Sequence, residues 1–479
     1  MKKRLKKLDY ILLSKVWVAV VLLVLLALSF SRISPYLGFA VLLATAACVC
    51  FRSPAEGICV LALVNPFSGL IRNAAPSSLL LAGVNEILLL MCIIGMLKRD
   101  VIRYLWIRNP VLMMIALYVA MSTMNSVRTG SLVEMLLNIR AYVFPALTVF
   151  IVYFSVKQPE DMERFCGYLL LASCMLLTLY AANYLELLPM EYAGEQIDNV
   201  LPGSGRDLGT WHIERGLSLI GGGASAMALW FAAMVPLSLG LAWESATKWR
   251  TVWWLIWSGL FFCATLTLVS KSSILFWLFW LAMFIFIGRW RLAFTIVLVL
   301  LMISLFSLFV VGDFLDDNSI IEVVREGSYI WSRYFPASGL DLIVGQGLQP
   351  IESGRLVRNI TNPGLLLDGG WVAVINMQGL LCVILWAAIL LQMAVLARRE
   401  YRCARCPVLY PILCAVVIGL AFSSVHTVVL YRQRLCFLFF AACGLCSAYS
   451  DLASSKRFPR RLANPRIAVQ KSFFSASVI

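Results

Sequence analysis

The feature that most constrains this chain is a succession of long apolar runs joined by polar segments, with basic residues concentrated at every second connection. A membrane-spanning helix needs about 20 mostly apolar residues, within a range of roughly 17–25. Candidate spans lie near 13–31, 36–51, 55–70, 79–97, 109–124, 139–156, 165–187, 222–242, 251–269, 272–288, 292–312, 371–397, 407–425 and 434–450. The second and third are short and read as a tilted or interfacial pair. Pro66 and Pro145 are expected to bend their helices rather than abolish them, since neighbours can satisfy the freed carbonyls. Hydrophobic residues make up 61% of the chain and charged residues 14%. A soluble domain is about half apolar and a quarter charged, so almost no room is left for one.

Charge sets the orientation. The first residues include Lys2, Lys3, Arg4, Lys6 and Lys7, which place the N-terminus inside. Every further inside connection is then basic: Arg52; Lys98, Arg99, Arg103 and Arg108; Lys157 and Arg164; Lys248 and Arg250; Arg289 and Arg291; Arg398, Arg399, Arg402 and Arg405; and the tail from Lys456 to Lys471. The predicted fold is all-α and polytopic, with about 14 transmembrane helices (12–14), both termini cytoplasmic and a large external loop subdomain. Residues 1–15 form a basic N-terminus, 16–450 the membrane domain and 451–479 a basic cytoplasmic tail. The same placement explains the net charge of +15 as a topology signal, and no nucleic-acid partner is expected.

Other features exclude rather than identify. Met1–Lys7 is basic, but Val16–Phe30 continues without a small-residue cleavage site and reads as an uncleaved first helix. The 14 cysteines fall within predicted helices or on the inner side, which argues against a disulfide framework. Cys403 and Cys406 have a metal-like spacing that no second pair or histidine completes, while Cys443 and Cys446 read as helix-packing residues. There is no Walker A lysine motif, no G-x-G-x-x-G unit and no H-E-x-x-H, so no metal or cofactor is expected.

Two outer segments are long, at 188–221 and 313–370, and long loops tend to carry function. The second is irregular, with a short helix expected at Ile320–Phe335 and turns at Gly345-Gln346-Gly347 and Asn362-Pro363-Gly364. Their basic residues are all arginine: Arg206 and Arg215 in the first, Arg325, Arg333, Arg355 and Arg358 in the second. Positive charge is disfavoured on this side, and a guanidinium binds phosphate or carboxylate bidentately where lysine does not. A diphosphate at the outer face is one target; the acids of the same loop, among them Asp313, Glu322, Glu326 and Asp341, are another. Lys271, in Ser270-Lys271-Ser272-Ser273, stands at a very short outer turn, either snorkelling or as a cation at the rim of an external cavity.

These features, in order, resemble the superfamily of O-antigen ligases and Wzy-type polysaccharide polymerases. Arg215-Gly216 before Gly221–Ala226 resembles that family's arginine ahead of a helix opening with small residues. Thr267 to Ser272 resembles its threonine-to-serine-arginine turn, with lysine in place of arginine at Lys271. Arg325, Trp331 and Gly345-Gln346-Gly347 resemble the series in its large periplasmic loop. Asp368 to Gly379-Leu380 resembles the segment that re-enters the membrane. The resemblance spans about 190–390. Asp368 stands where the ligases carry histidine, which favours the polymerase branch, although His212 and His426 also lie near outer ends.

The resemblance implies a bacterial inner-membrane glycosyltransferase of exopolysaccharide, O-antigen or capsule synthesis, active at the periplasmic face. Its donor would be an undecaprenyl-diphosphate-linked oligosaccharide, and its partners a flippase and a chain-length regulator. Arg215 and Arg325, helped by Lys271, would stabilise the leaving diphosphate, and Asp368 would take the acceptor proton. Arg206, Arg333, Arg355, Arg358, Trp331 and Trp371 would bind diphosphate or glycan; the tryptophans serve equally as interfacial belt residues. Three rival readings remain: a ligase that moves glycan onto a lipid or other acceptor, a transporter or flippase, and a structural subunit of a secretion or cell-wall complex. For a transporter the candidate polar positions are Asn85 and Glu86, well inside a helix.

Overall fold

In the computed structural model of the chain, the described residues are 35–67, 83–97, 109–128, 132–185, 206–208, 211–213, 223–245, 247–268, 271–287, 339–345, 347, 370–402, 408–423 and 433–454. They are helical apart from one short hairpin. In chain order the helices are α1 (Pro35–Arg52), α2 (Pro54–Val64), α3 (Val84–Leu97), α4 (Pro110–Val127), α5 (Leu132–Asn138), α6 (Phe144–Ser155), α7 (Pro159–Tyr184), α8 (Gly223–Glu244), α9 (Lys248–Thr267), α10 (Lys271–Ile287), α11 (Gly339–Val344), α12 (Gly370–Arg402), α13 (Leu409–Ser423) and α14 (Gln433–Ser454). The hairpin pairs β1 (Arg206–Leu208) antiparallel with β2 (Trp211–Ile213), within the outer segment 188–221.

Among the described residues, five helices are long and apolar enough to cross a membrane: Pro110–Val127 in α4, Glu160–Tyr184 in α7, Ala226–Glu244 in α8, Met377–Arg399 in α12 and Leu435–Ala453 in α14. By length and composition this is a helical membrane protein. The predicted spans at 13–31 and 292–312, and the expected short helix at Ile320–Phe335, lie outside the described residues. Over their described residues, the other predicted spans fall on helices. The span at 55–70 is one correction: α2 stops at Val64 and Asn65–Phe67 forms a 3₁₀ turn. Pro66 lies inside that tighter turn, which needs no continuing α-helical bond from it.

Local sequence sets several helix starts. Asn109 caps α4, its Oδ1 accepting from Val111 N at 3.0 Å, and Pro110 follows at the first turn, where a missing N–H costs nothing. Asp161 reaches back to accept from Gln158 N at 3.0 Å at the start of α7. Pro145 acts as foreseen, without abolishing its helix. The turn before it, Ile139–Val143, widens to a π-helix, and Phe144 N donates to Ile139 O.

The bundle has a buried centre and a greasy rim. In the apolar windows of α8 and α14, 89% of residues are buried, against 39% in α4 and 44% in α12. Helices apolar all round belong at the centre, and α8, α13 and α14 pack there. α4 and α12 turn Met113, Leu117, Met124, Leu380 and Leu391 outward, a surface suited to lipid. Small residues permit close approach. A side chain on Gly444 of α14 would run into Val149 O of α6, so the two backbones nearly touch there.

Polar contacts then tie helix ends. Asp451 at the end of α14 accepts from Asn109 Nδ2 at 3.2 Å and from Tyr153 Oη at 2.5 Å. Arg399 of α12 donates to Ser450 Oγ at 3.0 Å, and Glu244 of α8 accepts from Val408 N ahead of α13. All of these residues border connections that the charge pattern assigns to the inner side.

Candidate functional site

At the opposite ends of these helices, two glycines bring the short helix α11 against α12. The short helix α11 ends at Gly345, whose φ of +85° makes it a left-handed helix-terminating glycine. α12 is broken at Gly379, with φ 78° and ψ 175°, a backbone region essentially confined to glycine. The two breaks meet. A methyl group on Gly345 would overlap Met377 O and Gln378 N, and one on Gly379 would overlap Ile343 O and Gly345 N. Gly347 N then donates to Met377 O at 3.2 Å, with φ +108° at Gly347. Any side chain at 345 or 379 therefore meets both a steric clash and an unfavourable backbone conformation.

α4 holds this crossing through three polar residues spaced three apart. Ser122 Oγ accepts from Gln378 Nε2 at 3.2 Å. Asn125 Nδ2 donates to Val344 O at 3.3 Å, and Arg128 donates to Gly345 O at 2.7 Å. Asn125 and Arg128 thereby satisfy carbonyls left over at the C-terminus of α11, where a cation is also favoured by the helix dipole. Gln378 and Ser122 are each 1% exposed, and Gln378 Oε1 accepts from Cys382 Sγ at 2.8 Å across the break. From a third side, Tyr142 in the π-helical turn donates to Met377 Sδ at 3.4 Å.

The crossing places Gly347 beside Met377, seven residues after the start of α12 at Gly370. Segment 348–369 between them, which carries Arg355, Arg358 and Asp368, lies outside the described residues.

A second polar locus lies on the other side of the π-helical turn. Arg140 pairs with Glu86 of α3, with side-chain exposures of 21% and 15%. They border a cavity of about 30 Å³ together with Asn65, Asn85 and Thr148, which Leu61, Phe144 and Phe437 also line. The volume suffices for about two water molecules. Thr148 Oγ1 and Asn85 Oδ1 are buried there without a hydrogen-bond partner among the described residues. Asn85 Nδ2 donates to Asn65 Oδ1 at 3.1 Å.

The sequence-predicted residues distribute unevenly. Arg215, Arg325, Trp331, Arg333, Arg355, Arg358 and Asp368 lie outside the described residues, as do His426 and the expected turn at Asn362-Pro363-Gly364. Arg206 is placed by its backbone only, opposite Ile213 in the hairpin, and His212 sits opposite Asp207. Lys271 opens α10, and Trp371 lies in the first turn of α12. Just ahead of Lys271, the Thr267 and Tyr180 hydroxyls are hydrogen-bonded at 2.8 Å. The structure does unite two motifs far apart in sequence, Gly345-Gln346-Gly347 and Gly379-Leu380. Arg128 and Arg140 went unnoticed in the sequence. The signal that would have found them is the one used for the long loops: arginine at the disfavoured side of the membrane, here in and beside the short segment 125–138. Among the described residues no cluster of three histidine, cysteine or acidic side chains is arranged to hold a metal, and the described cysteines are free thiols.

Compared with family models, curated proteins and solved structures, the chain matches none of them.

Proposed function

We propose that this protein is a bacterial inner-membrane polysaccharide polymerase acting at the periplasmic face. The observation that carries the reading is the all-arginine basic complement of the two outer loops, at positions whose order resembles the ligase and polymerase superfamily. Its support from the fold is the meeting of Gly345 and Gly379, which brings together two of the motifs that carry the resemblance. The polar ties at the other helix ends are consistent with the expected arrangement of inner connections.

In the proposed reaction an acceptor glycan hydroxyl attacks the anomeric carbon of an undecaprenyl-diphosphate-linked oligosaccharide. The new glycosidic C–O bond forms as the bond from that carbon to the diphosphate oxygen breaks. Undecaprenyl diphosphate leaves with the electron pair, and the hydroxyl proton passes to the Asp368 carboxylate. Negative charge grows on the leaving group, so the guanidinium groups of Arg215 and Arg325, assisted by Lys271, favour the transition state over the ground state.

The test is the length of glycan made in cells. Arg215→Ala and Arg325→Ala each reduce long-chain product by about 10²–10³-fold at unchanged protein level. The lysine substitutions recover little, because a point charge lacks the bidentate fork. Normal chain lengths in both alanine variants would sink the reading. The Glu86–Arg140 pair beside a polar cavity gives a specific reason to keep transport as a second reading, since ionisable residues within a membrane often mark a pathway. The location of the accumulating intermediate separates the two. A polymerase defect collects single lipid-linked units on the outer face, whereas a flippase defect collects them on the inner face.

A further inference from the structure

We infer that the second polar locus is a built binding site for water, in which about two molecules bridge Thr148 and Asn85 and tie α2, α3 and α6 together inside the membrane. The site goes beyond the polymerase reading and does not depend on it.

Thr148 is the first sign. Inside a helix a threonine hydroxyl can donate to the carbonyl four residues earlier. Thr45, Thr123, Thr178 and Thr265 do so, at 2.8 or 2.9 Å. Thr148, only 1% exposed, does not: its Oγ1 has no partner among the described residues, and the residue borders the cavity. A buried hydroxyl left in that state costs free energy unless something else bonds it. Asn85 repeats the pattern from α3. Its Nδ2 is spent on Asn65 Oδ1 at 3.1 Å, which leaves a buried Oδ1 without a partner among the described residues, and Asn85 lines the same cavity.

Size and charge then select the ligand. A volume of about 30 Å³ holds about two waters and nothing much larger. The charged residues that line it, Arg140 and Glu86, are paired with each other and leave no net charge to hold a free ion. An anion would face the Asn85 carbonyl, and a cation the Arg140 guanidinium. Asn85 Oδ1 can only accept, whereas Thr148 Oγ1 can donate and accept. Water meets both demands in one molecule.

Water at this place has two effects. It bonds the Thr148 hydroxyl and the Asn85 carbonyl, and it solvates the Glu86–Arg140 pair, whose desolvation otherwise offsets much of its attraction. Asn65 follows α2, Asn85 and Glu86 open α3, and Arg140 and Thr148 flank Pro145. The shared waters therefore act where the helices begin, end or widen.

Removing the hydroxyl at nearly constant shape separates a wet cavity from a dry one, because the two predict opposite signs. In a dry cavity Thr148→Val discards an unpartnered buried hydroxyl and raises the thermal transition of the purified full-length protein. In a wet one it strips a bound water of a partner and lowers the transition, which is the expected result. Pulsed X-ray radiolysis reads the water directly, since hydroxyl radicals made from trapped water oxidise the side chains around it. Phe437, buried beside the cavity, is expected to be oxidised several-fold faster than Phe231 and Phe261, which are buried but do not line it. Leu61 should exceed the buried Leu237 in the same way, and Thr148→Val should bring both labels down toward the controls.

Oxidation of Phe437 and Leu61 at control rates overturns the site, and so does a thermal transition that Thr148→Val leaves unchanged or raises. If sodium in place of choline at equal ionic strength raises the transition of the unaltered protein but not of Thr148→Val, the ligand is an alkali cation and the water assignment is overturned. Should Thr148→Val fail to fold, the labelling of the unaltered protein decides alone.

Discussion

Gly379 shows how much one residue decides. Its φ of 78° with ψ of 175° lies where other residues do not go, and its missing side chain is the space that Ile343 O and Gly345 N occupy. Gly345 is the reciprocal partner. Alanine at either position is expected to destabilise the fold by about 1–3 kcal/mol from backbone strain alone, with the overlap adding to this. A lowered thermal transition in detergent, or loss of folded protein from membranes, checks it, and unchanged stability would contradict the crossing. Gly345 stands out in the sequence as part of a Gly-x-Gly turn, and Gly379 stands out only through the family resemblance. Their contact was not legible, since a 34-residue separation carries no local periodicity. The same limit hid the partner of Glu86. A carboxylate inside an apolar helix announces that something must compensate it, but nothing in the sequence names Arg140, 54 residues away.

At the level of elements, the helices follow from apolar runs, caps and prolines, and the departures follow from neighbours. Asn109 serves twice, capping α4 through Oδ1 and donating through Nδ2 to Asp451 on α14. Asn109→Ala should therefore cost more than an ordinary cap, which is typically about 1 kcal/mol, because Asp451 also loses a donor. Asn109→Asp keeps the cap but sets two carboxylates together, so its stability should fall as well and recover in part with Asp451→Asn. Thermal melts of the three variants decide this, and additive effects of the two changes would rule out the coupling. Pro145 was readable in the sequence as a disturbance within a span. The π-helical turn ahead of Pro145 was not. A proline announces a disturbed ladder, but whether the chain kinks, stops or widens depends on what packs around it.

For the whole molecule, the sequence separated two sets of helix ends, and the structure joins each set by its own polar contacts. The orientation implied by charge places Thr129 and Gly130 outside and Ala246 inside. A membrane-impermeant maleimide should label a cysteine at 129 or 130 in intact cells, and one at 246 only after permeabilisation. Labelling of 246 from outside would reverse the face at which chemistry is sought. The sequence by itself determined that the chain is apolar enough to live in a bilayer, where its helices run, and which charges depart from the positive-inside pattern. Those properties are local: each depends on residue type over one span or one connection. Only the tertiary structure decided which helices form the centre, that α12 breaks to receive α11, and that Ser122, Asn125 and Arg128 hold the crossing. Helices apolar on every side carry no stripe to show which neighbour they face, so shape, glycine contacts and a few buried hydrogen bonds select the partners.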